Sequence, residues 1–323
     1  MALPLAQADF LTHDQIMAGI VEETVEEDAL FNYLPFEDLN GYKQVAWNRE
    51  STLPAESQYI GVNEEVAEST PTWSQQTDTL KILADRIEID NFIASTKDAV
   101  QSIVAAAVAS KGKQMMRKFH DTFYYGDASV NANQFSGLHT LLAAANTIEQ
   151  GSGSSGAAGT LTELTQLATT IKPGSADALF MNRNMQRRLS VPYIANVQYN
   201  IDKSSIGDLV PDYAGIPIVV TDWLTMTEAV ASWSFTTKLG GATTSIFAVK
   251  FGRDARVVPG TNGVYNNNGI LGLQSGGMQI GPPHPLERKL GFSIQLHWYH
   301  TLILGSTLSL AAYTGLTDAA LTV

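Results

Sequence analysis

The sequence predicts an α+β fold that includes one long extended segment. Three observations support this prediction. An extended, turn-poor stretch spans residues 42–90, and an amphipathic helix follows at 91–120. Strands then alternate with helices before a β-rich C-terminal part. Because a two-stranded ribbon is marginal alone in water, the extended stretch needs another surface to lie on. This favours an assembly protein over a catalyst.

The composition of the 323-residue chain limits the possible classes of function. The chain is 44% hydrophobic and only 16% charged, which suggests that other copies cover much of its surface. The absence of cysteine excludes disulfides, Cys-based zinc sites and a thiol nucleophile. The uncharged run at 290–317 carries too many Ser and His residues for a membrane span, and no signal peptide is recognisable.

The N-terminal arm, residues 1–41, is acidic. Nine Asp and Glu residues precede Lys43, the first basic residue, and they carry most of the net charge of −12. Thr12 can cap a helix over 13–34, which Pro35 ends. The acidic residues form either a solvated helix face or a surface that docks on a basic neighbour. Their excess argues against a free-standing nucleic-acid binder.

Residues 42–90 predict a two-stranded ribbon with a long tip. We interpret 45–49 as the outgoing strand and 80–90, with its alternating apolar residues, as the returning strand. The aromatic residues of the ribbon have few basic residues among them, so they suit contact with a neighbouring protein better than base stacking. The candidate inter-subunit residues are Trp47, Arg49, Tyr59 and Trp73.

The helix at 91–120 has the strongest pattern in the chain. Apolar residues recur at spacings of three, four and seven from Ile93 to Phe119. About thirty residues give a rod of roughly 45 Å. Four basic residues near its C-terminal end either complement the helix dipole in solvent or face a polyanion. They are Lys111, Lys113, Arg117 and Lys118.

The rest of the chain predicts a mixed module followed by long strands. Thr160 and Glu163 form a possible capping box. Residues 286–304 alternate as one long strand, and a final strand follows near residue 310. The other predicted elements are helices at 160–171 and 182–189, the second ending before Pro192, and strands at 177–181, 213–221 and 245–251.

The sequence offers no catalytic constellation. Residues 151–156 match G-x-G-x-x-G, but no strand precedes them, which indicates a flexible surface loop. His297 and His300 are three apart on a strand and should point to opposite faces, which suits structural histidines better than metal ligands. Paired carboxylates lie in predicted arm or loop segments, where burial that tunes a pKa is not expected. We therefore expect no enzyme activity, metal or cofactor.

Eight segments, taken in order, resemble the parts of a known family. They are VAWNRESTLP (45–54), DTLKILADRIEID (78–90), the helix at 91–120, FSGL (135–138), ALFMNRNMQRRL (178–189), YAGIPIVVTD (213–222), SIFAVKFG (245–252) and ERKLGFSIQLHWYHTLILG (287–305). This order resembles the major capsid proteins of tailed double-stranded DNA bacteriophages, which have the Hong Kong-type capsid fold. The individual motifs are loose, and their order carries most of the likeness.

The resemblance implies an architecture and a role. The implied parts are an N-terminal arm (1–41), an extension loop (42–90), a peripheral domain with a spine helix (91–138), an axial domain (139–252) and peripheral-domain strands (253–323). Such proteins form hexamers and pentamers of an icosahedral shell around double-stranded DNA. The implied location is the virion capsid, assembled in the host cytoplasm. The implied partners are copies of itself, a portal, and DNA bound non-specifically, with the four basic helix residues near the inner face.

Two departures from some relatives modify these expectations. Only about forty residues precede the extension loop, so we expect a separate scaffolding protein. No lysine lies between Arg49 and Leu80, so we expect a shell without isopeptide cross-links, open to reinforcement by a decoration protein. One alternative is an encapsulin-type nanocompartment shell, which shares the fold but encloses enzymes. Another alternative is an uncharacterised enzyme that uses the glycine-rich loop as its ligand site.

Overall fold

The computed structural model describes most of the chain. The described residues are 30–39, 41–52, 54, 59–63, 65, 68–96, 103–150, 155–172, 174–193, 199–201, 209–231, 234–252, 269–319 and 321. The predicted arm helix before residue 30 lies outside them, as do residues 151–154 of the glycine-rich loop.

Helices and strands are interleaved along the described chain. The helices are α1 (Leu30–Tyr33), α2 (Asn91–Thr96), α3 (Ile103–Tyr125), α4 (Leu138–Leu141), α5 (Leu161–Thr170) and α6 (Arg183–Tyr193). The strands are β1 (Phe36–Asp38), β2 (Gln44–Thr52), β3 (Thr72–Thr79), β4 (Lys81–Asp90), β5 (Thr147–Glu149), β6 (Ala178–Met181), β7 (Tyr199–Ile201), β8 (Leu209–Tyr213), β9 (Ile216–Val220), β10 (Ala229–Ala231), β11 (Ser234–Thr237), β12 (Thr244–Val249), β13 (Ile270–Ile280), β14 (His284–Pro285), β15 (Gly291–Leu304) and β16 (Leu310–Leu316).

A five-stranded sheet, called here the peripheral sheet, is organised around β15. This strand pairs antiparallel with β13, β14 and β4, while β1 pairs in parallel with β13. The alternation that predicted β15 corresponds to one buried face, since Ile294, Leu296 and Trp298 are all buried. Leu290 shares their parity but precedes the strand and is 83% exposed.

The returning strand of the ribbon is β3, and the prediction that residues 80–90 form it is wrong. β2 pairs with β3, from Gln44 opposite Thr79 to Thr52 opposite Thr72, whereas β4 pairs along its whole length with β15. Alternation shows that one face of a strand is covered without showing what covers it. Here the apolar face of β4 packs in the same core as helix α3 of its own subunit.

The long predicted helix is present in two described parts. α2 lies inside the predicted range 91–120, and α3 begins inside it. Residues 97–102 between the two helices are not described. α3 continues beyond the predicted end to Tyr125, because Phe123 and Tyr124 are fully buried and extend its packed face. The FSGL segment packs tightly against the C-terminal end of α3. A Cβ atom on Gly137 would lie only 2.4 Å from the carbonyl oxygen of Thr122.

A seven-stranded sheet, called here the axial sheet, has the order β5-β16-β12-β6-β9-β8-β7. Every residue of β6, β12 and β16 is buried. α5 and α6 share one core with this sheet through residues such as Leu164 and Met185. The predicted capping of α5 is confirmed, because the Thr160 hydroxyl accepts a hydrogen bond from the Glu163 amide at 3.2 Å.

Three predictions in this region require correction. α6 runs through Pro192 to Tyr193 instead of ending before the proline. The predicted strand at 213–221 is the second half of a hairpin, since Ala214 and Gly215 turn with φ of 54° and 80° between β8 and β9. The last strand pairs with β12 of the axial sheet, although the predicted division placed residues 253–323 in the peripheral domain. Its uniformly buried residues suit a strand inside a sheet that is covered on both faces.

Candidate assembly surface

The ribbon of β2 and β3, with the segment between them, forms the extension loop, and its root is attached to its own subunit. The guanidinium of Arg49 donates hydrogen bonds to the carbonyl oxygens of Leu304 and Gly305 at the end of β15. Trp47 is half-buried and packs with Val45 against a small apolar cluster of the peripheral sheet. Two of the four candidate inter-subunit residues, Trp47 and Arg49, therefore contact their own subunit.

The outer part of the extension loop presents apolar side chains to solvent. Within the described residues, β2 and β3 form a sheet of only two strands. Tyr59, Ile60, Val62 and Trp73 are all exposed, and the first has the full exposure of an isolated residue. Isolated exposed apolar residues are common, but four within residues 59–73 indicate a contact surface. Tyr59 and Trp73 thus lie where a neighbouring subunit could cover them.

The four basic residues of α3 have different surroundings. Lys111 forms an ion pair with Asp85 of β4, at 3.1 Å, and Lys118 pairs with Asp121 one turn along the helix, at 3.4 Å. The Arg117 guanidinium lies 5.9 Å from the ring centroid of Trp223. Lys113, Arg117 and Lys118 are exposed, at helical spacings that place them on one side of α3. Of the four, these three form the exposed cationic face of α3.

A further cation at this end of α3 was not predicted from the sequence. The Lys238 ammonium lies 2.5 Å from Asp121 and 5.0 Å from the ring centroid of Tyr125. It joins the loop between β11 and β12 to the spine helix. No local sequence signal marks it, because its partners lie more than a hundred residues away.

A buried carboxylate connects the spine helix to the axial sheet. Glu228 is fully buried and accepts hydrogen bonds from the Tyr125 hydroxyl at 2.5 Å and the Ser245 hydroxyl at 2.7 Å. His139 Nε2 lies 3.4 Å from the same carboxylate. Burial and the adjacent carboxylate raise the pKa of Tyr125, so its hydroxyl remains a donor across the neutral range. These contacts tie α3, α4 and β12 together.

An apolar groove lies between the root of the extension loop and the peripheral sheet. Two polar atoms beside it, Glu37 Oε2 and Trp47 Nε1, are buried and make no hydrogen bond within the described part of the chain. Burial raises the pKa of Glu37. A buried polar atom without a partner costs about 1–3 kcal/mol, so a donor for Glu37 Oε2 and an acceptor for Trp47 Nε1 would stabilise this region. It is lined by Glu37, Leu39, Val45, Trp47, Leu271, Leu273, Ile303 and Gly305.

The described residues carry little that points to another functional class. No helix among them is long and apolar enough to cross a membrane. Within the described ranges, no group of three or more His, Asp or Glu residues is placed to hold a metal ion. His297 is half-buried and lies 3.2 Å from Gln279, whereas His300 is buried among aromatic rings.

A long spine helix between a peripheral and an axial sheet, with a projecting extension loop, defines a shell-forming subunit of the Hong Kong-type capsid fold. The family model described as the phage capsid family matches residues 8–208. The chain belongs to this family and is a major capsid protein of a virion shell, where it associates with copies of itself. A comparison with curated proteins found no match.

Solved structures share the fold at low sequence identity. The encapsulin of the holo-SrpI complex from Synechococcus elongatus PCC 7942 matches with a TM-score of 0.70 at 12% identity, covering 100% of this chain and 99% of that one. The capsid of an empty GTA particle matches with a TM-score of 0.64 at 12% identity, covering 95% and 96%. The capsid of Microbacterium phage Oxtober96 matches with a TM-score of 0.61 at 12% identity, covering 97% and 98%.

Proposed function

We propose that this chain forms hexamers and pentamers of an icosahedral shell that encloses double-stranded DNA, without covalent cross-links and without catalytic activity. The observation that carries this proposal is the extension loop. Its exposed apolar residues need a surface, and a neighbouring copy supplies one at roughly 25 cal/mol per Å² of apolar area buried. Around a closed ring every copy then both gives and receives such a contact.

Electron microscopy of the purified protein tests this assembly. We expect shells of uniform diameter, with five-fold and six-fold capsomers. A variant with Tyr59→Ser and Trp73→Ser should keep the subunit folded, since both side chains are exposed, but should yield far fewer shells. A matched control is Val130→Ser, which removes an exposed apolar side chain outside the extension loop. Monomers under all conditions would contradict the proposal.

The absence of cross-links follows from the composition of the extension loop. No lysine lies between Arg49 and Leu80, so this outer part of the loop cannot supply the amine for an isopeptide bond. Shells from mature particles should therefore dissociate to a single monomer band on a denaturing gel. A ladder of covalent multimers would contradict this.

We propose that the exposed cationic face of α3 lies toward the enclosed DNA. Lys113, Arg117 and Lys118 would neutralise phosphates without reading sequence. The variant Lys113→Gln, Arg117→Gln, Lys118→Gln should assemble normally but release DNA at lower temperature or salt. Lys111→Gln serves as the control, since the Lys111 side chain is less exposed than that of Lys118, at 34% against 55%. Equal DNA retention in the triple variant and the unmodified shell would contradict the inner-face assignment.

The same proposal includes further assembly partners and a second candidate for what the shell encloses. We expect a portal, a separate scaffolding protein, a possible decoration protein, and assembly in the host cytoplasm. The match to the SrpI encapsulin over the whole chain favours, as the second candidate, a nanocompartment shell. Particles purified from the natural source decide between the two. Nuclease-protected DNA supports the virion, whereas enclosed enzyme without DNA supports the nanocompartment.

A further inference from the structure

No described residue fills the groove at the root of the extension loop or pairs with its two buried polar atoms. Its floor is apolar, while Glu37 Oε2 requires a donor and Trp47 Nε1 requires an acceptor. An apolar side chain beside a cation would satisfy the apolar floor and Glu37 Oε2.

The corner that precedes β15 has this combination on the described surface. Leu290 is 83% exposed, and its carbonyl accepts a hydrogen bond from the Asn91 amide at 3.1 Å, which holds the corner against α2. Arg288 is exposed and forms no ion pair with any described residue. Lys289 reaches Glu88 only at 3.8 Å and remains 68% exposed. The corner therefore presents one leucine preceded by two cations.

We propose that residues 288–290 of a second copy of this chain dock in the groove, with Leu290 on the apolar floor and Arg288 against Glu37. Charge complementarity favours this corner over another exposed apolar segment, the tip of the extension loop. That tip carries acids such as Glu65 and Glu68 and has no basic residue between Arg49 and Lys81, so Glu37 would repel it.

The positions of the two surfaces require that the contact join different copies. The corner precedes Gly291 at the start of β15, while Ile303 and Gly305 line the groove at its other end. Fourteen residues of strand separate them by roughly 45 Å at about 3.3 Å per residue. A contact between unlike ends of two copies is heterologous, and such contacts generate rings when the rotation closes. The inference thus rests on the proposed self-assembly and names one of its contacts.

Disulfide trapping tests the contact directly, because the chain has no cysteine of its own. Val45→Cys and Leu290→Cys variants would be co-assembled in equal amounts and oxidised. We expect a disulfide-linked dimer on a non-reducing gel, since a disulfide forms only where the two Cα atoms lie within about 7 Å. Val130→Cys in place of Leu290→Cys is the control, because Val130 is equally exposed at 83%. It should give no dimer with Val45→Cys.

A charge exchange gives an independent readout. Glu37→Arg and Arg288→Glu should each reduce the yield of shells by about tenfold or more, because each places like charges in contact. The double variant should restore much of the yield. Circular dichroism of each single variant checks that the subunit remains folded.

The outcomes separate this inference from the proposed function. Shells that form without the disulfide-linked dimer of the Val45→Cys and Leu290→Cys variants overturn the docking contact and leave self-assembly intact. A double charge variant no better than the singles does the same. Failure of the unmodified chain to assemble in any form overturns both. A trapped dimer in shells that hold enzyme instead of DNA supports the contact and contradicts only the proposed content.

Discussion

Arg49 Nη2 donates a hydrogen bond of 2.8 Å to the carbonyl oxygen of Leu304, and its Nε donates one of 3.1 Å to Gly305. One side chain of the extension loop thus holds the loop root to the end of β15. Together with the packing of Val45 and Trp47, this contact attaches a ribbon that pairs with no further strand among the described residues.

Arg49→Met should destabilise the root of the loop. Hydrogen bonds from a charged donor contribute about 1.5–3 kcal/mol, and part of this is lost to solvent screening at a half-buried site. We expect a loss of about 1–2 kcal/mol in urea unfolding and faster amide exchange in β2. Arg86→Met, on the exposed side of β4, should leave both unchanged. Unaltered exchange in β2 of the Arg49 variant would refute the attachment.

Tyr125→Phe should weaken the junction between the spine helix and the axial sheet. The substitution leaves the buried Glu228 carboxylate without its 2.5 Å donor, which should cost about 1–3 kcal/mol of unfolding free energy. Tyr42→Phe, at a 73% exposed position, is the control. Equal stability of the two variants would show that the contact contributes little.

The raised pKa of Tyr125 also predicts a response to alkali. A folded pKa above the unfolded value of 10.0 means that the folded state holds the proton more tightly. Stability from this group is therefore complete below about pH 10 and decreases above it. Tyr125→Phe should reduce that decrease, as measured by urea unfolding at successive pH values.

His300 should make the subunit sensitive to acid. Burial lowers its pKa from 6.5 to about 4, so the unfolded state binds the proton first as the pH falls. Stability from neutral His300 is complete above about pH 6.5 and decreases toward pH 4, by up to about 3 kcal/mol. His300→Phe should flatten the stability curve in this window. His284→Gln, at an exposed site, should not.

Two glycine-to-alanine substitutions should have opposite effects. Gly137→Ala places a Cβ within 2.4 Å of the Thr122 carbonyl oxygen and should lower stability by several kcal/mol or prevent folding. Gly112 lies within α3 with nothing within 4 Å of the added Cβ. Gly112→Ala should raise stability by about 0.5–1 kcal/mol through helix propensity. Thermal unfolding of both variants measures the contrast.

The sequence predicted the helices and strands of this fold better than it predicted which strands pair with one another. The capped helix at 160–171, the buried strand at 177–181 and most of the spine helix follow from local patterns and are present. The pairing of residues 81–90 with β15 was missed, because period-two alternation is the same for a ribbon and for a sheet strand. α6 passes through Pro192 because a proline disfavours the continuation of a helix but does not forbid it.

The candidate contact residues show the same limit. Exposure of Tyr59 and Trp73 agrees with a role between subunits, which remains a prediction. Nothing in the sequence marks the buried Glu228, since a lone glutamate in TMTEAVAS has no spacing that distinguishes it. Nor could the sequence indicate that Lys111 is paired with Asp85, twenty-six residues away on another element.

By itself, the sequence determined the order of the parts: an extended loop, a spine helix, a mixed module and long final strands. It also determined that the part of the loop between Arg49 and Leu80 has no lysine for a cross-link. Only the tertiary structure decided which strands pair, that β16 lies in the axial sheet, and that the groove beside Glu37 and Trp47 is left without a partner among the described residues. The physical reason is that hydrophobic periodicity records which face of an element is buried, whereas its partner is set by packing between residues far apart in the chain.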